Sequence, residues 1–377
     1  MGNFLEAPIT EKTTEVGEDE GKNAWVGMSC MQGWRAQMED DHLITLSLPE
    51  ARDVSLFGVF DGHGGDHVAH YTAKHVQRHF TSAQEFAPPY TTQIVGAAFT
   101  RAILGLDAEL RQQPEHMSGH DQSGSTLTMV AITPTDIVCA NTGDSRSVLS
   151  RAGRAIDLSN DHKPFLEEEK TRIERAGGHV KFNRVNGDLA VSRALGDFAY
   201  KQRDDLPAEV QAVTAAPELM SEARHPDDEF VILACDGIWD VMSSQECVNF
   251  VAGLLRATER PAPEQRGASG TEQEHGGGRQ RAAWDLGAVC EALLDKCLDK
   301  GSRDNMSVVI VSLKPEFAPG TAARRRTPAS AAAAAPPQLR ELVVKDPASP
   351  SPAAPSPAVP SPVQSGAPSP KPPTPTS

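Results

Sequence analysis

No apolar run in this 377-residue sequence is long enough to span a bilayer, and its opening residues carry no secretory leader pattern. The six cysteines (Cys30, Cys139, Cys235, Cys247, Cys290 and Cys297) form no C-x-x-C pair. Several lie in apolar runs, where cysteine behaves as a small hydrophobe. These absences lead us to expect an intracellular, reducing setting, in cytoplasm or nucleus. Basic charge is scarce too: 36 Lys and Arg stand against 51 Asp and Glu, a formal net charge of −15. No domain-wide cationic surface remains for nucleic acid, so a nucleic-acid partner is not expected.

What is present is enough apolar material, 39% of residues, for one large domain with disordered extras. Residues 1–23 are polar and acidic and read as a flexible arm. Residues 24–314 read as globular, with a low-complexity loop insertion at 257–283 around Gly276-Gly277-Gly278. Beyond 314 the chain turns Ala-, Pro- and Ser-rich, so 315–377 are expected to be disordered with polyproline II character. P-x-x-P spacing at Pro347/Pro350, Pro352/Pro355 and Pro357/Pro360 would suit SH3-type domains, and the Ser-Pro repeats proline-directed kinases; an inert tail is the plainer reading. Gly2 offers the glycine of N-myristoylation and thus a lipid-anchored membrane contact, although Glu6 replaces the usual Ser or Thr.

Short runs rich in Val, Ile, Leu and Phe predict strands at 54–60, 126–132, 136–141, 145–151, 229–235 and 306–313. Helical periodicity appears at 66–80, 92–112, 165–176, 244–256 and 284–299. Tight turns such as Thr133-Pro134-Thr135 favour antiparallel hairpins, and the clustered elements favour an α+β layered domain over a doubly wound sheet.

Three of these strand ends carry an aspartate: Val59-Phe60-Asp61-Gly62-His63, Ala234-Cys235-Asp236-Gly237 and Ser302-Arg303-Asp304-Asn305. Carboxylates at strand mouths, with glycines that admit close backbone approach, suit hard divalent cations. Arg35 lies four residues before a run of carboxylates that begins with Glu39 and Asp40, and Asp144 occupies another turn before a strand. Paired divalent ions, ~3.5–4 Å apart in two-metal hydrolases, can activate a bridging water. Arginine matches the fork of phosphate oxygens, and a histidine can protonate a departing alkoxide. Chemistry alone stops at metal-assisted hydrolysis of a phosphate ester, and a nuclease or small phosphoesterase stays open.

Eight ordered motifs go further. They are Arg35-Ala36-Gln37-Met38-Glu39-Asp40, Phe60-Asp61-Gly62-His63-Gly64-Gly65, Gly124-Ser125-Thr126, Gly143-Asp144-Ser145-Arg146, Asp161-His162-Lys163-Pro164, Arg184-Val185-Asn186-Gly187 with Leu189-Ala190-Val191-Ser192-Arg193-Ala194-Leu195-Gly196-Asp197, Cys235-Asp236-Gly237-Ile238-Trp239-Asp240 and Ser302-Arg303-Asp304-Asn305-Met306-Ser307. The chain resembles the metal-dependent serine/threonine protein phosphatases of type 2C (PPM), nearest in motif form to the animal A/B-type enzymes. The resemblance spans about residues 24–314.

It implies an antiparallel β-sandwich of two sheets flanked by helices on both faces, a four-layer α/β/β/α order. It implies two Mn²⁺ or Mg²⁺ ions held by Asp61, the Gly62 carbonyl, Asp236 and Asp304, with a weaker third at Asp144 and Asp236. Arg35 would bind phosphate, His63 would be the general acid, Glu39 and Asp40 would hold metal-bound waters, and Asn305 would stand behind the ligands. The implied enzyme is a monomer that hydrolyses phosphoserine and phosphothreonine in proteins, reversing kinases in signalling. Its nucleophile would be a metal-bridged water or hydroxide, without a phosphoenzyme. Segment 163–200 would contain the flap beside the cleft.

Plainer readings apply residue by residue. A lone Asp-Gly is an ordinary turn, and a lone arginine a surface charge. His63, His67, His70, His75 and His79 recur at helical spacing without matched cysteines or helper carboxylates, so the later ones read as a helix leaving the cleft rather than a zinc site. Cys235 reads as a packed core residue. His162 is either beside the site or a cap on the next helix.

Overall fold

The strand Ser55–Phe60 (β4) is buried at every position, as is Leu127–Ile132 (β7), because each is covered on both faces. Phe57, Val59, Val130 and Ile132 meet Val26, Met28, Val231, Leu233, Val309 and Val311 of a second sheet, while Leu56, Phe60, Leu127, Met129 and Ala131 turn the other way onto helices. Side chains alternate across a strand, so one continuous apolar run serves two interfaces.

The computed structural model describes residues 4–19, 24–83, 86–257, 285–314 and 340–341. Two six-stranded antiparallel sheets dominate an α+β fold. The first runs β1 (Phe4–Asp19), β2 (Ala24–Arg35), β16 (Met306–Ser312), β15 (Asp228–Ala234), β9 (Arg146–Arg151), β10 (Arg154–Asp157). The second runs β17 (Arg340–Glu341), β14 (Glu218–Ala223), β8 (Asp136–Thr142), β7, β4, β3 (Asp41–Thr45). A three-stranded sheet of β13 (Leu195–Gly196), β6 (Gly124–Ser125) and β5 (Gly62–His63) continues from the end of β4, and β11 (Val180–Lys181) pairs with β12 (Arg184–Val185).

Helices α1 (His67–Thr81) and α2 (Thr92–Arg111) pack their apolar stripes on the outer face of the second sheet. Helices α6 (Ser244–Arg256) and α7 (Leu286–Asp299) cover the outer face of the first, together with the single turn α5 (Asp236–Trp239). Two short helices, α3 (Pro114–Met117) and α4 (Glu167–Arg175), lie in the connections. Helix α6 begins with a reciprocal capping box between Ser243 and Glu246, a start signal written into the sequence.

Every expected strand and helix is present within one or two residues, but β1, β2, β3, β10 and β14 were not anticipated. The correction with most consequence concerns residues 1–23. Phe4–Asp19 is not a loose arm but a sixteen-residue edge strand paired with β2, for example Thr13 to Cys30 and Val16 to Gly27. Its pairing is made by backbone, which lets an edge strand carry polar side chains. Lys12 also pairs with Asp295 at 2.6 Å, and Thr14 donates to Glu291 at 2.9 Å, fastening the strand to α7. The insertion at 257–283 and the tail at 315–377 lie outside the described residues, except for Ala257 and for Arg340–Glu341, which pair with Ser221 and Met220 of β14. Gly2 also lies outside them.

Candidate active site

Strands β15 and β16 pair so that Ala234 faces Val308, which brings Asp236, just past the end of β15, near Asp304, just before β16. Asp61 follows β4 in the opposing sheet. The three aspartates therefore meet where equivalent ends of the two sheets come together, in a cleft of about 310 Å³ also lined by Arg35, Gly62, His63, Thr126 and Asp144. Arg184 and the segment Asp188 to Val191, from the expected flap, close one side.

Two glycines allow this convergence. A methyl carbon on Gly62 would stand 2.2 Å from the Glu39 carbonyl oxygen, and one on Gly237 would stand 2.0 Å from that of Asn305. Either would push an aspartate-bearing segment away from its neighbour.

Negative charge accumulates here. Burial, and then the charges of Asp236, Asp40, Asp144 and Asp304, push the Asp61 carboxyl well above the usual carboxylate range. Burial, Asp144 and Asp304 do the same to Asp236. Arg35 donates to Asp304 Oδ2 at 2.5 Å; burial works against its charge, yet Asp304, Asp236 and Asp61 outweigh it and raise its pKa. Lys163 donates to Asp144 Oδ2 at 2.5 Å. The residues fit hard divalent cations: carboxylate oxygens and the Gly62 backbone are the donors such ions take, and positive charge relieves their repulsion. One further oxygen, Asp40 Oδ1, is buried without a hydrogen-bond partner among the described residues, and a carboxylate oxygen of Asp40 lies within 4.8 Å of one on Asp61.

The other expected residues stand behind this wall rather than in it. Asp40 accepts from Ser307 Oγ at 2.7 Å, and burial, partly offset by that bond, pushes its carboxyl up to about 7. Glu39 Oε1 accepts from the Gly65 N–H at 2.7 Å, so it braces the turn after His63. Asn305 donates to the carbonyls of Gln32 and Gln37 at 2.9 and 3.0 Å and accepts from the Glu39 N–H at 3.0 Å. It thereby stitches the loop bearing Arg35 to the start of β16.

Two partners escaped the sequence reading. His63 Nε2 lies 2.7 Å from Asp197 Oδ2, across 134 positions of sequence. Burial disfavours the imidazolium, but the charge and hydrogen bond of Asp197 outweigh it and raise the His63 pKa. Asp197 is left-handed at φ 50°, in a turn whose Leu-Gly-Asp motif was the available signal. The other is Lys163, whose contact with Asp144 no local spacing announces. His162 stands beside the site rather than capping the next helix: its Nδ1 accepts from the Gly143 N–H at 3.2 Å, supporting the turn that presents Asp144. The later helix histidines do leave the cleft, but His67 has a helper carboxylate, Asp121, at 2.6 Å.

The cysteines offer no nucleophile. Cys235 is fully buried, and burial with the charges of Asp40 and Asp61 drives its thiol up. Cys297 and Arg303 do have the C-x₅-R spacing of covalent phosphatases, a match the sequence reading passed over. Cys297 is fully buried, its Sγ 3.6 Å from Met242 Sδ, with burial raising its thiol to about 12.

Comparison with known proteins accords with this geometry. The family model described as Protein phosphatase 2C matches residues 25–306. A Caenorhabditis elegans chain named as a probable protein phosphatase 2C is 42% identical over 327 residues, covering 85% of this chain and 83% of its own. Rat protein phosphatase 1B is 41% identical over 320 residues, covering 82% and 75%. The crystal structure of a phosphatase from Toxoplasma gondii superposes with a TM-score of 0.63 at 28% identity, covering 81% of this chain and 96% of that one.

Proposed function

This chain belongs to the protein phosphatase 2C family, a metal-dependent protein serine/threonine phosphatase family, and from that premise we propose how its own residues divide the work. The supporting observation is the meeting of Asp61 from one sheet with Asp236 and Asp304 from the other, in a cleft walled by Arg35 and His63. Asp61, the Gly62 carbonyl, Asp236 and Asp304 would hold two Mn²⁺ or Mg²⁺ ions, and Asp144 with Asp236 a weaker third. When bound, such ions acidify a water and offset phosphoryl charge.

The protein's residues supply the rest. Arg35 presents its fork to the phosphate of a phosphoserine or phosphothreonine side chain and offsets charge in the transition state. Asp197 anchors His63 at Nε2 and favours its protonated form, leaving Nδ1 to protonate the departing serine or threonine oxygen. Asn305 and Glu39 position the Arg35 loop and the His63 turn, and Asp40, held by Ser307, stands beside Asp61. The buried thiols make no phosphoenzyme. The same reading takes the protein as an intracellular monomer, with Gly2 acylation and capture of SH3-type domains or kinases by the tail as peripheral attachments.

The test is hydrolysis of a phosphothreonine peptide with Mn²⁺, with EDTA, and by Asp236→Asn. Turnover that requires Mn²⁺ and disappears in both controls is expected. Undiminished turnover by Asp236→Asn would overturn the ligand assignment, and phosphopeptide binding without turnover would leave a binding module.

A further inference from the structure

We propose that His67, His116 and Asp121 form a second metal site, outside the catalytic cleft, that takes a transition-metal dication of the Zn²⁺ type. His67 opens α1, His116 belongs to α3, and Asp121 lies in the loop leading to β6. One potential ligand atom from each lies within 4.8 Å of the other two. Asp121 Oδ2 is 2.6 Å from His67 Nδ1 and 3.6 Å from His116 Nε2.

The second and independent observation is the state of His116. Its side chain is 1% exposed, and Nε2 has no hydrogen-bond partner among the described residues. Its Nδ1 lies 3.2 Å from the Asp121 carbonyl oxygen, which can only accept. Nδ1 therefore carries a proton, and Nε2 faces Asp121 Oδ2, so that Nε2 without a proton would present its lone pair there, the form in which imidazole binds metal, with the Nδ1 bond as the backing that fixes it. Asp121 is poised as well. Burial opposes its charge, but the Ser123 N–H, at 2.8 Å from Oδ1, and His67 outweigh it and hold the carboxyl below the usual range.

Bonds of ~2.0–2.1 Å to a tetrahedral ion place ligand atoms ~3.4 Å apart. The separation of 3.6 Å between His116 Nε2 and Asp121 Oδ2 already fits. The 2.6 Å between His67 and Asp121 opens once the proton they share is replaced by the ion. His67, 39% exposed, provides the way in and leaves room for water as a further ligand. Two imidazoles and one carboxylate favour zinc, copper or nickel, whereas the oxygen donors of the cleft favour Mg²⁺ or Mn²⁺. The site also touches the catalytic hardware at one remove: the Ser123 carbonyl accepts from the Asp197 N–H at 3.2 Å, and Asp197 holds His63.

The experiment titrates Co²⁺ into the full chain with its cleft saturated by Mg²⁺ and follows visible absorption. Cobalt in a four- or five-coordinate His₂Asp site absorbs far more strongly than in an octahedral oxygen site. We expect one equivalent to bind with the intense bands, Zn²⁺ to displace it, and both His67→Ala and Asp121→Asn to abolish the signal while Asp236→Asn retains it. His67 is partly exposed, so His67→Ala should fold, which near-ultraviolet circular dichroism checks. Weak octahedral absorption only, or intense bands unchanged in His67→Ala, would overturn the proposal.

Discussion

Substituting Gly237 by alanine tests whether the cleft depends on backbone contact between the segments bearing Asp236 and Asp304. The new methyl carbon would stand 2.0 Å from the Asn305 carbonyl oxygen, 3.1 Å from its carbon and 3.2 Å from Met306 Cγ. A carbon and a carbonyl oxygen rest at ~3.3 Å or beyond, so the segments must part by ~1.3 Å. Neither can yield easily. Ser302 Oγ holds the Gly237 carbonyl at 2.7 Å, and the Asn305 side chain is tied to Gln32, Gln37 and Glu39. The separation therefore falls between Asp236 and Asp304.

A misplacement of ~1 Å costs ~10²-fold in rate, and overpacking costs ~1–3 kcal/mol in stability. We expect kcat/KM on a phosphothreonine peptide to fall by that factor and the Mn²⁺ midpoint to rise. Thermal unfolding should show less stabilisation by Mn²⁺. The control is Gly253→Ala, on the exposed face of α6 with no atom within 4 Å of the new carbon. It should stabilise by ~0.5–1 kcal/mol and leave turnover alone. Wild-type kcat/KM and metal midpoint in Gly237→Ala would refute the reasoning.

Three further outcomes follow from the same contacts. His63→Gln should lower kcat on phosphothreonine peptide by ~10²-fold but affect an aryl phosphate, whose leaving group needs no proton, far less; equal losses would remove the general acid. Asn305→Ala leaves the Gln32 and Gln37 carbonyls and the Glu39 N–H without this partner, so urea unfolding should show a loss of ~1–3 kcal/mol together with reduced turnover. Glu169 is buried, which works against its charge, yet hydrogen bonds and charge from Arg193 and the charge of Arg172 hold its carboxyl at about 2, below its ordinary 4.5. Because the folded value is the lower one, its stabilisation is complete above that ordinary value and lost as pH falls toward 2. Glu169→Gln should cost ~3 kcal/mol at neutral pH and flatten the acid limb of the stability curve, and an unchanged limb would contradict it.

Much of the core was legible because burial leaves a local trace. The apolar runs at 54–60, 126–132 and 306–313 are strands buried on both faces, and Ser243 with Glu246 announces the start of α6. Asp61, Asp236 and Asp304 were legible as strand-end carboxylates, and the ordered motifs joined them into one family pattern. The Phe4–Asp19 strand was hidden, since an edge strand is held by backbone hydrogen bonds and its polar side chains copy those of a loop. The pairing of His63 with Asp197, the triple tie of Asn305 and the meeting of His67 with His116 and Asp121 were likewise beyond reach.

The sequence by itself thus determined which segments are strands or helices with buried faces, and which residues could bind metal and phosphate. Those properties are set by side-chain chemistry and short-range periodicity. Only the tertiary structure decided which strand ends share a cleft and which acid orients which histidine, because contacts across more than a hundred residues arise from how sheets and helices pack.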